Sequence, residues 1–347
     1  MATISSDGML RIRDLKNGAL LKELEGYGNA MGDVALSRDG QLIASSDHGG
    51  YVIAWHGDTV KALTRPFQAH HNICSLDFSP DGAMLATGSL DCTVNLWSAE
   101  TWQLQGNPMR CSYPVRCVRY SPSGKLLAAA TDCYIHIWDS YQMICIASLG
   151  QNKTVSLAWT PDGTRLLSGD CTNSGIREWD SSTWIQLSDI WKGHTGDTCQ
   201  VAVNCDGTVI ASPTTDNRVR LWRLSDRRTI ALFQHSGFPS CITFSVDGKH
   251  ILAGGKDKSI SQWAVPEHAW PANALMDLST PVRIHFQPMR HLMWIPRLKT
   301  ATPSQSLIPR LKSLISMRKT LTPTLKMLKP RYVSNHKYYD TMRAFFM

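Results

Sequence analysis

Six tryptophans keep one period along most of this 347-residue chain. Trp55, Trp97, Trp138, Trp179, Trp222 and Trp263 follow one another at intervals of 42, 41, 41, 43 and 41 residues. A second marker keeps step with them, a turn glycine at Gly40, Gly82, Gly124, Gly163, Gly207 and Gly248. Two markers on one period define an internal repeat, and a repeat of 40–45 residues restricts the fold before any single motif is read. Each unit is one supersecondary element that needs its neighbours to cover its apolar faces.

Within a unit the pattern is that of strands. Ile73–Gly106 reads ICSLDFSPDGAMLATGSLDCTVNLWSAETWQLQG, with short apolar, β-branched runs broken by turn residues every eight to ten positions. In Ser79-Pro80-Asp81-Gly82 the proline presets φ and the glycine accepts positive φ, which suits a tight hairpin with a type I turn and a bulge. The same chemistry recurs at Thr160–Gly163 and, with Ser123 in place of Asp, at Ser121–Gly124. A second hairpin is marked six residues before the tryptophan by Asp91, Asp132, Asp216 and Asp257, with Asn173 standing in once. About four short strands per unit is the pattern of propeller blades, and one large Trp per blade buries on the order of 150–250 Å².

On these features residues 3–264 resemble the WD40 repeat family. The resemblance extends to a polar set of His, Ser or Thr, Asp and Trp that hydrogen-bond within one blade. His70, Thr87, Asp91 and Trp97 match it, as do His194, Ser212, Asp216 and Trp222, with Gly193 before the second histidine. His235, Asp257 and Trp263 keep the frame, but Ala253 stands where the hydroxyl belongs. Asp47 lies eight residues before Trp55, so that unit departs further.

The expected fold is therefore an all-β, WD40-type propeller of seven blades, six complete repeats plus an N-terminal partial one, followed by an irregular basic tail. Asp7 and Arg13 are spaced like Asp and Trp elsewhere, and Arg13 precedes Trp55 by 42 residues, so the chain starts in mid-blade. The segment Val282–Phe286 (VRIHF) is placed to supply that blade's missing strand and close the ring. The alternative is a chain that leaves this blade with an open edge. The propeller is expected over residues 1–288 and a basic, disordered or partly helical tail over 289–347.

Charge divides the chain in the same place. Residues 1–264 carry 23 Lys and Arg against 25 Asp and Glu, whereas 265–347 carry 13 against 3. From Leu278 to Tyr339 there is no acidic residue. Leu307–Leu321 can be drawn as a short basic amphipathic helix flanked by prolines. Nucleic acid is a candidate partner only through this tail. Arg218, Arg220, Arg223, Arg227 and Arg228 form a second basic cluster, read as solvated with Asp216 and Asp226 as local partners.

No motif argues for catalysis. The Ser, His and Asp of the polar sets recur in separate units together with Trp, which no triad requires, so they read as structural. G-x-S-x-G, H-E-x-x-H and G-x-x-x-x-G-K-[ST] are absent. The string opening at Gly26-Tyr27-Gly28 lacks the third glycine of a dinucleotide fingerprint. His70, His71 and Cys74 have no second ligand pair, so no metal and no cofactor are expected. The ten cysteines contain no C-x-x-C pair and read as buried free thiols. With neither a signal-like N-terminus nor an apolar run near 20 residues, a cytoplasmic or nuclear protein without a membrane span is expected.

The resemblance implies a rigid, non-catalytic scaffold that gathers proteins or peptides into a multi-protein complex through its top face. Tyr27, His71, Tyr113, Lys153, Asp197 and Phe238 are the large or charged residues expected on that rim. The alternatives are a nucleic-acid- or ribonucleoprotein-associated factor acting through the tail, and a regulatory WD40 module of a signalling assembly.

Overall fold

Seven sheets, antiparallel but for one added strand, follow one another along the chain in a seven-bladed β-propeller. The computed structural model describes residues 2–4, 7–14, 17–25, 28–150, 153–170, 175–196, 200–266, 276–277 and 282–284. Blade 1 has three strands, Ala2–Ile4, Met9–Arg13 and Leu20–Glu25. Blade 2 runs Met31–Leu36, Leu42–Asp47, Tyr51–His56 and Phe67–Gln68. Blade 3 runs Ile73–Phe78, Met84–Ser89, Thr93–Ser98 and Leu104–Arg110, and blade 4 runs Val115–Tyr120, Leu126–Thr131, Tyr134–Asp139 and Ile144–Gly150. Blade 5 has Thr154–Trp159, Arg165–Asp170 and Gly175–Asp180, extended by isolated bridges at Gln186 and Trp191. Blade 6 has Ala202–Val203, Val209–Pro213, Arg218–Arg223 and Thr229–Gln234, and blade 7 has Pro239–Phe244, His250–Gly255 and Ile260–Ala264.

The last described strands correct one expectation. Val282–Ile284, the described part of the segment expected to complete blade 1, pairs antiparallel with Ile260–Ala264 as the outer strand of blade 7. That open edge lies nearer along the chain, and short connections between neighbouring strands are favoured. Just before it, Met276–Asp277 lies parallel to Thr229–Gln234 as a fifth strand of blade 6. Residues 285–347, including the basic tail, lie outside the described residues.

Local chemistry accounts for the hairpins. All six repeat glycines hold φ between +68° and +76°, where a side chain would be strained. In blade 3 Ser79 Oγ donates to Asp81 Oδ1 (2.5 Å), and the same carboxylate accepts the Ala83 N–H at 3.0 Å. Ser37 with Asp39, Thr160 with Asp162, and Ser245 with Asp247 repeat the bracket. These bonds hold the four aspartates below the usual carboxylate range. Where Ser123 replaces Asp, the Ser121 and Ser123 hydroxyls lie 3.1 Å apart and the Lys125 N–H reaches Ser123 Oγ only at 3.4 Å.

Apolar side chains fill the junctions between blades. Each buried cluster straddles one junction, from Ile4, Leu10, Met31 and Trp55 between blades 1 and 2 to Phe233, Ile242 and Trp263 between blades 6 and 7. In every junction the repeat tryptophan packs towards the preceding blade while its indole N–H turns back into its own sheet. Trp55 donates to Ser45 Oγ (2.9 Å), Trp97 to Thr87 Oγ1 (3.1 Å), Trp179 to Ser168 Oγ (3.0 Å) and Trp222 to Ser212 Oγ (2.7 Å). The acceptor always sits two residues beyond the cross-strand partner of the tryptophan, as Thr87 sits beyond Leu85. In blades 4 and 7 that position is Ala129 and Ala253, and the buried Nε1 atoms of Trp138 and Trp263 have no hydrogen-bond partner.

First strands of successive blades pack against each other and so lie nearest the axis. There, one position sends a side chain to the next blade's backbone. Asp33 Oδ2 accepts the Leu76 N–H (2.9 Å), Ser156 Oγ accepts that of Val201 (3.1 Å), and Gln200 Oε1 accepts that of Ile242.

An indole left without an acceptor forfeits about 1–3 kcal/mol. Ala253→Ser is therefore expected to raise the unfolding midpoint, and Thr87→Ala to lower it. Thermal melts of the two variants check the direction.

Candidate protein-interaction face

Four antiparallel strands per blade put two kinds of loop at the same end of the propeller. These are the turn between the second and third strands and the connection from the fourth strand to the next blade. The polar sets tie the two together. In blade 3 the Trp97 indole donates to Thr87 Oγ1, which lies 2.7 Å from His70 Nε2. His70 Nδ1 lies 3.0 Å from Asp91 Oδ2, and Thr93 Oγ1 donates to Asp91 Oδ1 at 2.5 Å. His70 Nε2 also lies 3.2 Å from Thr87 O, so both ring nitrogens are held by neighbours. Burial works against the Asp91 charge, yet the bonds from His70 and Thr93 hold its carboxyl well below the usual range. The connection at His70 is thereby fastened to the turn at Asp91.

The second set is assembled differently. His194 Nε2 lies 2.6 Å from Ser212 Oγ, and Trp222 reaches the same hydroxyl. Asp216, expected to bind the imidazole, instead accepts from the hydroxyls of Thr195 (2.6 Å) and Thr214. His194 Nδ1 is left without a partner. Two nearby hydroxyls are more flexible donors than the ring and take up the carboxylate oxygens. Burial, helped by Arg220 and opposed by Asp216, pushes the His194 imidazole down to about 3. In blade 7 His235 Nδ1 stands 4.0 Å from Asp257 Oδ2, which binds the Ser236 hydroxyl.

On this frame the loop face carries its large side chains. Tyr113, in the connection between blades 3 and 4, is 39% exposed, and Tyr134, at the start of the third strand of blade 4, is 38% exposed. Their ring centroids lie 6.1 Å apart, and Tyr134 continues onto His136 at 5.9 Å. Beside them Arg116 clamps Asp132 through Nε (3.0 Å) and Nη2 (3.2 Å). Tyr51, at the same place in blade 2, is 37% exposed. Phe238, between blades 6 and 7, is half-buried with Lys256 Nζ 5.5 Å from its ring centroid.

Of the rim residues expected from sequence, Tyr113 and Phe238 carry the aromatic surface, His71 is exposed, and Lys153 is half-buried. Tyr27 and Asp197 lie outside the described residues. Sequence reading missed Tyr51 and Tyr134, although a signal was present. Both stand four residues before the tryptophan, where other blades carry Thr93, Arg218 and Ser259. That position opens the third strand and faces the loop end.

The arginine cluster is more engaged than its sequence reading allowed. Arg223 pairs with Asp226 (3.0 Å), as expected. Arg227 crosses to blade 5 and meets the fully buried Glu178 at 2.9 Å, opposite Arg165. Arg220 lies over Trp222, 5.2 Å from the ring centroid, and donates to Gly193 O. Arg218 and Arg228 remain exposed. The described cysteines are free, but Cys92 and Cys133 are only half-buried and Cys145 and Cys205 are exposed. No helix among the described residues is long and apolar enough to cross a membrane.

A histidine depressed in the fold contributes stability that is present above its unfolded pKa of 6.5 and is lost as pH falls towards about 3. The difference in unfolding midpoint between the native chain and His194→Gln should therefore shrink steadily from pH 7 to pH 4. A difference independent of pH would remove His194 as the titrating group.

Comparison with known proteins agrees with this architecture. Residues 2–264 match the family described as IFT122 first beta-propeller. The chain is 24% identical over 147 residues to WD repeat-containing protein AAC3 of Dictyostelium discoideum, covering 40% of this chain and 30% of that protein. It is 32% identical over 78 residues to WD repeat-containing protein 44 of Xenopus laevis, 22% of this chain and 8% of that one. It is 28% identical over 136 residues to pre-mRNA-processing factor 19 of Oryza sativa subsp. japonica, 38% and 25% of the two chains. The matched stretches thus span less than a third of each of these relatives. With its seven sheets and its match over residues 2–264, the chain belongs to the WD40 β-propeller family, in the group of IFT122 first β-propellers.

Proposed function

We propose that the chain is a non-catalytic scaffold that captures partner proteins or peptides on the loop face, with the Tyr113–Tyr134 pair as its anchor. The observation that carries this reading is the exposure of two adjacent tyrosines on a frame fastened by the His70–Asp91 bonds. Tyrosine presents a large amphipathic surface at little entropic cost, and such residues dominate binding energy in protein interfaces. Tyr51, His71 and Phe238 extend the surface over blades 2 to 7, and Lys153 supplies a charge beside it. Tyr27 and Asp197 belong to the same rim by their sequence position. The polar sets carry no catalytic role in this reading, because they recur from blade to blade with a tryptophan indole bound to the same hydroxyl.

A second reading rests on the run from Leu278 to Tyr339 without an acidic residue. Under it the propeller of residues 1–288 presents a separate basic segment, 289–347, to nucleic acid. Capture through that segment falls steeply with salt and vanishes after nuclease treatment.

The two readings separate in one affinity-capture experiment on the full chain with nuclease-treated extract, followed by mass spectrometry. Tyr113→Ala/Tyr134→Ala should lower recovery of bound proteins at least tenfold, a loss of about 1.4 kcal/mol or more, with an unchanged unfolding midpoint. Recovery equal to that of the native chain removes the loop-face reading. Capture abolished by nuclease alone assigns binding to the basic segment.

A further inference from the structure

The outer rim of the propeller holds a feature the loop face does not explain. An exposed strand edge is a template for another strand, and proteins usually guard it with charge, proline, shortness or a covering segment. The outer strands of blades 1, 2, 3, 6 and 7 are guarded in these ways. Leu20–Glu25 carries Lys22, Glu23 and Glu25, and Leu104–Arg110 carries Pro108 and Arg110. Phe67–Gln68 is two residues long. Thr229–Gln234 is covered by Met276–Asp277, and Val282–Ile284, the outer strand of blade 7, is three residues long.

Ile144–Gly150 in blade 4 has none of these protections. It is seven residues long, and Tyr141–Gly150 contains neither a charge nor a proline. Among the described residues no strand pairs with its outer edge. Ile144 and Ile146 are 55% and 51% exposed, and Tyr141 beside them is 72% exposed.

Blade 6 has a residue at the same position in a strand whose outer edge is paired. Ala147 pairs with Ile137, one residue before Trp138, and Ala231 pairs with Leu221, one residue before Trp222. Ile146 and Ile230 are therefore equivalent. Ile230, in the strand that carries the parallel fifth strand, packs into the cluster between blades 6 and 7 and is only 8% exposed.

We infer that the outer edge of Ile144–Gly150 docks an extended, uncharged, apolar segment of a partner protein, added as a parallel fifth strand. The geometry follows Met276–Asp277 on Thr229–Gln234. Main-chain hydrogen bonds supply affinity, and alternate side chains of the incoming strand cover Ile144 and Ile146. A second copy of the chain fits less well. Two half-exposed isoleucines and a tyrosine fall well short of the roughly 800 Å² per partner that a stable dimer buries. An acidic or basic segment finds no counter-charge along Tyr141–Gly150. This site lies on the rim and does not rest on the loop-face reading.

The probe is a capped synthetic heptapeptide of alternating threonine and valine, with lysine at the valine positions in its charged control. Amide hydrogen exchange of the full chain with the uncharged peptide should slow across residues 144–150. Ile144→Lys/Ile146→Lys should weaken binding at least tenfold, and the milder Ile144→Ser/Ile146→Ser severalfold. Both should keep the native unfolding midpoint and native capture at Tyr113 and Tyr134. No slowing at millimolar peptide, equal binding by the lysine variant, or equal binding of the charged control overturns the inference. A peptide-free dimer already protected at 144–150 also overturns it and assigns the edge to self-association.

Discussion

A four-stranded antiparallel sheet has two faces and no means of burying both by itself. Every other feature of this protein follows from that deficit. Six buried clusters each join two successive blades, and each is filled by a tryptophan that leans on the preceding blade. The tryptophan also carries a polar indole N–H into the dry junction. A hydroxyl two residues beyond its cross-strand partner accepts this N–H in blades 2, 3, 5 and 6. The period of the repeat is thus a packing requirement and a hydrogen-bonding requirement at once.

That double requirement explains which departures the ring tolerates. Ala129 and Ala253 leave an indole unsatisfied but keep the volume of the junction nearly unchanged, so the sheets stay in register. In blade 3 the same hydroxyl continues the chain of bonds through His70 to Asp91 and stiffens the loop end. Blade 6 has the same residue types, yet its carboxylate turns to Thr195 and Thr214. The loop end is therefore held by different bonds in different blades, on one backbone plan.

The two proposed surfaces exploit different consequences of this plan. Loops at the end of the blades carry no packing duty, so Tyr51, Tyr113 and Tyr134 can face outwards there. At the rim each sheet ends in a strand with one free edge, which must be guarded or used. The guards on the neighbouring blades give Ile144–Gly150 its meaning, because an unguarded apolar edge is costly unless something covers it.

Much of this was legible in the residues alone. The tryptophan period, the Ser-x-Asp-Gly turns and the set around His70 specify strand order, hairpin positions and the number of blades, because they are local and recur. The bond from His194 to Asp216 did not follow from the same spacing, since its outcome turns on Thr195 and Thr214 lying closer to the carboxylate. Val60, Trp102, Met143, Trp184 and Arg227 adopt positive φ in the turns before the outer strands, where no glycine announces it. Trp102 packs towards Phe67 and Trp184 towards Trp159, so contacts with neighbouring strands offset the local strain. Nor could spacing show that Val282–Ile284 joins blade 7, or that Ile230 is buried while Ile146 is exposed. The sequence by itself determined the repeating sheet, because the side chains that specify it interact within a few residues or one strand away. Tertiary structure decided which carboxylate meets which partner and which edges are covered, because those outcomes are competitions between groups that only the packed ring brings together.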